Sequence, residues 1–255
     1  MFVTIKFATN LFVPNMLVKL AAMSVQSGEP RSRRERPAKP ALTRAGIVAA
    51  AIEIMAAEGL PKVTVRRLAQ DLDTGPASLY VYFRNTAELH AAILDELLGT
   101  IPPPRAGGDW RDRLERVLTD YTVMLFQHPS LARSALVARP RGAHYLNLVE
   151  SILALLDEGG VRPAQAAWGV DLLLQFGTAT AAEQGTREES LDAGDDWDGL
   201  QRALRDTPAR THPHIAALAG VLMSGAPRQR LSWGFRMLIN GILATPVPSS
   251  EGDAS

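Results

Sequence analysis

The feature that most constrains the fold of this chain is a pair of short helical patterns between residues 64 and 83. Thr64 is a good N-cap for the first pattern. The run Asp73-Thr74-Gly75 predicts a turn, and Pro76 suits the first turn of a second helix because its missing N–H is not needed there. Two short helices joined by such a turn have the layout of a helix-turn-helix. The inward face of the first helix is predicted to be Val65, Leu68, Ala69 and Leu72.

Helical patterns continue on both sides of this pair, and no strand pattern is evident, so the predicted fold class is all-α. Thr43 is expected to cap a helix that ends at Gly59, and Asn85 or Thr86 to cap another that carries Leu89 and Leu97. The Pro- and Gly-rich residues 101–109 predict a domain boundary. Beyond it, helices are predicted at 110–127, from 129, at 144–157, 163–183 and 228–243, and residues 186–213 are predicted to be a loop with one short helix near 197–205.

Charge is distributed unevenly, although the whole chain has a formal net charge of zero. Residues 31–84 hold ten basic and five acidic residues, a net charge of +5, so the remainder carries about −5. A basic N-terminal module beside an acidic remainder favours a DNA reader joined to a separate sensor. Chance variation of surface charge is the alternative reading of this pattern.

The two ends of the chain lack the patterns of a folded domain. Residues 1–42 are expected to be a disordered or basic arm, and residues 246–255 a disordered tail. Residues 1–23 are either a disordered extension or the product of an upstream start codon, with true initiation near Met16 or Met23. The apolar runs within 1–23 are far shorter than the roughly 20 residues that a membrane span needs, so no membrane role is expected. The sequence contains no cysteine, which fits a cytoplasmic location.

The second helix of the pair would enter a major groove, and its residue types suit that position. Small residues at its start let the backbone approach base edges, and tyrosine hydroxyls can reach phosphates. An ordinary helical hairpin with surface tyrosines is the alternative. The candidate DNA-binding residues are Thr64, Arg66, Ala77, Ser78, Tyr80, Tyr82 and Arg84.

The motif resembles the DNA-binding domain of TetR-family repressors over about residues 43–98. The resemblance rests on Thr64-x-Arg66-x-Leu68-Ala69-x-x-Leu72, Ser78-Leu79-Tyr80-x-Tyr82-Phe83-x-Asn85 and Glu88-Leu89. It implies a three-helix head at 43–98, a fourth helix leading to a larger α-helical ligand-binding and dimerisation domain at 105–245, and a homodimer that binds an inverted-repeat operator. A small-molecule effector, not identified by the residues, would release the DNA.

The second half resembles the C-terminal domain of the tetracycline-repressor branch through Trp110, His128-Pro129, Arg139-Pro140 and Phe235-x-x-x-Ile239-x-Gly241. This resemblance implies a central ligand cavity and a dimer interface built from helices at 164–185 and 228–243. The candidate ligand-pocket residues are Tyr121, His128, Arg139, Gln175 and Phe176. The candidate interface residues are Trp168, Leu172, Trp233 and Phe235, for each of which a place in the intrachain core is the alternative.

Five positions depart from the family pattern. Asp73 stands where the family usually has Gly, Thr74 where it has an aliphatic residue, and Thr86 where it has a phosphate-contacting Lys. Ala135 and Pro102 stand where the tetracycline repressors have the metal-ligating and a further pocket histidine. We therefore predict that tetracycline is not the effector.

Two other function classes compete with a regulator: an all-α enzyme that uses the C-terminal cavity, and a helical adaptor. Neither a Gly-rich phosphate loop nor a GxSxG motif is present. The five histidines are not spaced as a metal site. We therefore expect no catalytic residues, no cofactor and no metal.

Overall fold

The computed structural model describes residues 41–137, 140–189 and 193–248. Within those ranges the chain forms α-helices and no strand, and none of these helices combines the length and the apolar character that crossing a membrane requires. The predictions for residues 1–40, for Arg139 and for the end of the tail lie outside the described residues. The helices are α1 (Arg44–Glu58), α2 (Val65–Asp71), α3 (Pro76–Tyr80), α4 (Thr86–Leu98), α5 (Trp110–Phe126), α6 (Pro129–Ala135), α7 (Ala143–Glu158), α8 (Pro163–Glu189), α9 (Ala193–Arg205), α10 (Pro213–Leu222) and α11 (Pro227–Ala244).

Side-chain caps set the start of four helices. The side-chain oxygen of Thr43 accepts a hydrogen bond from the amide of Gly46 at 3.0 Å, and that of Thr64 from the amide of Arg67 at 3.1 Å. Asn85 caps α4 and Asp109 caps α5 in the same way. Each cap satisfies an amide that has no partner inside its helix. The sequence predictions for Thr43, Thr64 and Asn85 are confirmed.

The first three helices pack around a small apolar core, and α4 connects that core to the rest of the molecule. Ile47, Leu68 and Leu79 from the three helices are buried, and Leu89 and Ile93 of α4 belong to the same buried cluster. The N-terminal head and the larger helical body therefore share α4 as a common element.

The body is built around α8, which packs against α5, α6, α7 and α11. Close packing of α8 on α11 depends on glycine. A Cβ added at Gly234 would lie 2.5 Å from Cζ of Phe176, and one added at Gly169 would lie 2.8 Å from Cδ1 of Ile242. Phe176 then meets Phe235 edge-on, with 5.1 Å between ring centroids.

The segment between α8 and α11 is more helical than the sequence predicted. Helix α8 continues to Glu189, α9 begins at Ala193 instead of near 197, and α10 was not predicted at all. An ion pair between Arg187 and Glu183, one turn apart at 2.6 Å, supports the extra length of α8. Helix α10 is apolar on all sides, so it lacks the one-sided pattern by which a surface helix is recognised.

Candidate nucleic-acid interface

Helices α2 and α3 bury one side each and leave the opposite side to solvent. Leu68 and Ala69 of α2 and Leu79 of α3 are buried. Ala77, Ser78 and Tyr80 are exposed as a result, and Tyr80 keeps 55% of its surface accessible. The three predicted base-reading residues therefore lie together on the outer face of the second helix, where a base edge or a phosphate could reach them.

The turn between the two helices has a left-handed residue at its centre. Asp73 has a φ of 47°, a region that favours glycine. The amide of Thr74 donates to the carbonyl of Ala69 at 2.8 Å and closes the turn. This backbone geometry explains why the family usually has Gly at this position. Asp is one of the few other residues that tolerate a positive φ.

The two neighbouring arginines of α2 have different environments. Arg66 is exposed and forms neither an ion pair nor a hydrogen bond with any described residue, so its guanidinium is available for DNA. Arg67 binds Glu58 at 2.9 Å and Asp71 at 3.3 Å, and the hydrogen bond to Glu58 raises the pKa of Arg67. Arg67 therefore ties α2 to α1, whereas Arg66 has no such side-chain contact with a described residue.

Two hydroxyl-bearing residues of the predicted interface also differ. Thr64 uses its oxygen as an acceptor in the cap of α2, which leaves its hydroxyl hydrogen available to donate to a phosphate. Tyr82 is half-buried and donates its hydroxyl hydrogen to the carbonyl of Leu42 at 2.6 Å. Tyr82 therefore fixes the chain entering α1, and in this structure its hydroxyl hydrogen is used in that contact; its contact with a DNA phosphate stays a prediction.

Arg84 lies at the end of the motif with 78% of its side chain exposed. Its amide donates to a carboxylate oxygen of Glu88 at 2.9 Å, and its Nε lies 3.4 Å from the same oxygen. This backbone hydrogen bond is the main cause of the lowered pKa of Glu88. The exposed pair is weak enough for Arg84 to exchange Glu88 for a phosphate.

Helix α4 is linked to the body at three places along its length. Oδ1 of Asp95 accepts a hydrogen bond from the amide of Tyr145 at 2.9 Å, so a carboxylate of α4 caps the start of α7. Nδ1 of His90 lies 3.1 Å from the hydroxyl of Ser134 in α6. Nearer the head, Glu88 lies 3.7 Å from Arg141 in the segment before α7. A displacement of α6 or α7 would therefore act directly on α4.

The predicted pocket residues do not all meet. Tyr121 is buried in the body and donates to the hydroxyl of Thr178 at 2.6 Å, because Thr178 gives its own hydrogen to the carbonyl of Leu174. Thr178 was not predicted, since 57 positions separate it from Tyr121 and no local pattern connects them. His128 is half-buried at the start of α6, where burial lowers its pKa. Phe176 packs against Phe235 as described.

Gln175 is exposed on the outer face of α8, so the structure corrects its assignment to an interior pocket. That face also carries Trp168 and Leu172, which are 60% and 50% exposed. On α11, Trp233 and Met237 are 68% and 47% exposed. These four apolar side chains are called the α8/α11 face below.

Phe235 does not belong to the α8/α11 face. Its side chain is fully buried inside the chain, so its assignment to the dimer interface is corrected. The reason is helical spacing: Phe235 lies two residues from Trp233, on the other side of α11, and points at Phe176.

An all-α chain with an exposed recognition helix, joined through one helix to a larger helical body, defines the class of two-domain helix-turn-helix regulators. Two family models match it: "Bacterial regulatory proteins, tetR family" over residues 47–93, and "Tetracyclin repressor-like, C-terminal domain" over residues 102–245. The chain belongs to the TetR family and is a ligand-responsive, DNA-binding transcriptional regulator.

Solved structures and relatives agree with this assignment. SCO7704 from Streptomyces coelicolor, described as a transcription regulator, is 58% identical, with 83% of this chain and 99% of that chain covered and a TM-score of 0.71. Apo ActR from the same organism is 36% identical, with 80% and 98% covered and a TM-score of 0.71. The repressor DrrR1 of Streptomyces coeruleorubidus is 29% identical over 62% of this chain, and the alignment spans 59% of DrrR1, less than two thirds of its length.

Proposed function

We propose that this protein is a homodimeric repressor that binds an inverted-repeat operator and releases it when a small molecule enters the helical body. The observation that carries the proposal is the exposed outer face of α3, with Ala77, Ser78 and Tyr80 beside Arg66 of α2, whose side chain has no partner among the described residues. A dimer would place two such faces one helical turn of DNA apart, which is the geometry for two successive major grooves.

Affinity for DNA would come mainly from positive charge, and sequence discrimination from the start of α3. Arg66 and Arg84 are the exposed cations of the motif, and Thr64 adds a hydroxyl donor. Arg67 would contribute little, because its charge is already balanced by Glu58 and Asp71. This division makes Arg66 the position at which a single substitution should affect binding most clearly.

The effector would act through α4. Asp95 caps α7, and Glu88 lies near Arg141, so α4 contacts the residues around the start of α7 at two points. A ligand that favours a shifted position of the start of α7 would change the separation of the two heads. The dimer would then have a DNA-binding form and a ligand-binding form, and the ligand would shift the population toward the second. The free energies of ligand binding and of DNA binding would therefore be coupled.

The polar groups inside the body include neutral hydroxyls: Tyr121 and Thr178 lie there, next to the buried Thr122. ActR, 35–36% identical to this chain, has been solved in complex with actinorhodin and with (S)-DNPA. Ala135 provides no metal ligand at the end of α6. This residue and the buried hydroxyls support an organic effector and not a magnesium–tetracycline chelate.

We assign the protein no catalytic activity and place it in the cytoplasm, where its DNA target is. The hydroxyl of Tyr121 bonds to that of Thr178, and Thr178 bonds in turn to a carbonyl of α8. Support for a regulator comes from the head.

The DNA-binding proposal is tested by electrophoretic mobility shift on the DNA flanking the protein's own gene, with a salt titration. We expect a specific complex on an inverted repeat that weakens steeply with salt. Arg66→Ala and Tyr80→Ala should each weaken binding by roughly tenfold or more, which corresponds to about 1–3 kcal/mol for a good base or phosphate contact.

Arg116→Ala is the matched control, because Arg116 is an exposed arginine on α5, away from the motif. It should bind DNA like the wild type. Retention of full affinity by both Arg66→Ala and Tyr80→Ala would overturn the proposed docking of α3.

The effector proposal is tested with actinorhodin and with tetracycline plus Mg²⁺ as separate probes in the same assay. We expect actinorhodin, and not tetracycline, to reduce the fraction of DNA bound, and Tyr121→Phe to raise the concentration required. Release by nanomolar tetracycline would contradict the proposed class of effector.

A further inference from the structure

Val81, at the end of α3, is a large apolar residue that the rest of the chain leaves uncovered. It keeps 81% of its surface accessible, whereas Leu79 and Phe83 on either side of it keep only 3% and 6%. Val81 was not among the residues predicted to contact DNA. Packing within the chain does not account for an isopropyl group at this position, so its function has to be sought outside the head.

The backbone that carries Val81 is fixed. Its φ of −65° and ψ of −30° continue the helical conformation one residue beyond α3. The amides of Tyr82 and Phe83 both donate to the carbonyl of Leu79, at 3.0 and 3.1 Å, and the hydroxyl of Tyr82 binds the carbonyl of Leu42. A valine side chain has few rotamers of its own. The direction of the isopropyl group is therefore set before any partner binds, which lowers the entropy cost of a contact.

Val81 shares a side of the helix with Ala77, four residues earlier in the chain. Residues with this spacing lie next to each other on a helix surface, with Cβ atoms about 5–6 Å apart. Ala77 is exposed as well. The two form a short apolar stripe on the outer face of α3. Since successive bases of one DNA strand rise by about 3.4 Å, two side chains at this distance can meet bases one or two steps apart.

We infer that Val81 contacts the C5-methyl group of a thymine in each half of the operator, one or two base steps from the base that Ala77 contacts. The inference rests on the docking of α3 in the proposed function. Among the four bases, only thymine presents a methyl group in the major groove, and apolar side chains are the ones that contact it. Val81 therefore adds a preference for one particular base to the hydrogen bonds of its polar neighbours.

A protein partner fits this position less well than DNA. The apolar stripe consists of two small or medium-sized side chains, far less than the contiguous apolar area that a protein interface needs. Exposed cations lie on both sides of it in the sequence, Arg66 on α2 and Arg84 before α4. A deoxyribose could also cover the isopropyl group, but every nucleotide has one, so such a contact would add affinity without a preference for a base.

The first test selects binding sites from a pool of random DNA duplexes, with the full chain as the wild type, as Val81→Ala and as Val123→Ala. Val123, on α5, is an exposed valine outside the head and provides the matched control. We expect the wild type and Val123→Ala to select the same inverted repeat, with thymine at one defined position of each half. Val81→Ala should lose the preference at that position and keep the others.

The second test replaces this thymine by deoxyuridine in both halves of the selected duplex, which removes the methyl group and nothing else. Fluorescence anisotropy at one salt concentration measures affinity. The wild type should lose about fourfold in each half, the value for one buried methyl group, or about 15-fold for the duplex. Val81→Ala should bind the thymine duplex about as weakly and hardly distinguish thymine from uracil, because the two changes remove the same contact. Circular dichroism checks that the variant keeps its helices.

Three results would overturn the inference: selection of the same bases by Val81→Ala at every position, equal losses on uracil in the wild type and in Val81→Ala, or no loss on uracil in the wild type. A uniform loss of affinity in Val81→Ala, with its base preferences unchanged, would assign the contact to deoxyribose instead. In all these cases an inverted repeat selected by the wild type would leave the proposed function standing. Selection of no inverted repeat by the wild type would contradict that function, and the inference would fall with it.

Discussion

Single residues of the head determine how much of its charge is available to DNA. Arg66 and Arg67 are neighbours in the sequence, yet only Arg66 lacks an acidic partner among the described residues. The sequence could predict that both lie on α2, because the cap and the apolar spacing fix that helix. It could not predict the pairing of Arg67, because Glu58 comes from α1, nine residues away.

Thr86→Lys should strengthen operator binding and make it more sensitive to salt. Thr86 is exposed at the first position of α4, where the family resemblance implies a phosphate-contacting lysine. One added phosphate contact per subunit should steepen the slope of log affinity against log salt by about two per dimer. Thr211→Lys, an equal change at an exposed distant threonine, should leave the slope for specific binding unaltered.

Substitutions at Asp73 should separate backbone strain from side-chain effects. Asp73→Ala should reduce the free energy of unfolding by about 1 kcal/mol, because alanine tolerates the left-handed region less well than aspartate. Asp73→Gly removes the same carboxylate but suits the backbone, so it should be more stable than Asp73→Ala by about 1 kcal/mol. Equal unfolding free energies in urea titrations would contradict the strain argument.

At the level of helices, the sequence predicted most starts correctly and failed where an element depends on a distant partner. Thr43, Thr64 and Asn85 cap their own helices, and a local pattern reveals such caps. Helix α7 is different, since Asp95 of α4 caps it from 50 positions away. Helix α10 was not predicted for a related reason: it is apolar on nearly all sides, so its sequence lacks the alternation of apolar and polar faces by which a surface helix is recognised.

Asp95→Ala should loosen the start of α7. Loss of the acceptor for the amide of Tyr145 should lower the free energy of unfolding by about 1 kcal/mol, as for other N-caps. Hydrogen exchange of that amide should accelerate, while Asp95→Asn, which keeps an acceptor, should change it less.

Gly142→Ala offers an independent check of the same contact. A Cβ at Gly142 would overlap the carboxylate of Asp95, so this variant should also displace the cap. The double variant with Asp95→Ala should lose less free energy of unfolding than the sum of the losses in the two single variants. Strict additivity would mean that the two residues do not share this contact.

At the scale of the whole molecule, the two predicted functions of the body involve different sides of α8. The inner side carries Thr178 beside Tyr121, and the outer side carries Trp168 and Leu172. Helical spacing predicted that α8 and α11 are amphipathic or apolar. It could not assign Gln175 or Phe235 to a side, because both helices bury one apolar face and expose another.

Trp233→Glu should weaken the dimer and, through it, operator binding. Trp233 is the most exposed residue of the α8/α11 face, and burial of an aromatic side chain of that size contributes roughly 2–3 kcal/mol. Sedimentation should show monomers at concentrations where the wild type is dimeric. Val123→Glu, at an exposed valine of α5, is the control, and equal dimerisation of both variants would exclude this face.

Stability should fall as the pH is lowered through the ordinary histidine range. Burial lowers the pKa of His90 and of His128 below the ordinary value of 6.5. The unfolded chain therefore binds more protons than the folded one once the pH drops below about 6.5, and the free energy of unfolding decreases there. Urea titrations at several pH values should show a shallower decrease in His90→Gln than in His214→Gln, whose histidine is exposed.

The three links along α4 also determine how far a movement in the body can carry. His90 lies midway between Asp95 and Asn85, five residues from each, or about 7.5 Å along the helix axis on either side. Asp95 and Glu88 contact residues around the start of α7 on either side of the His90–Ser134 contact, so a displacement there would carry α4 with it instead of pivoting it. The separation of the two recognition helices would then follow how far the effector moves α7.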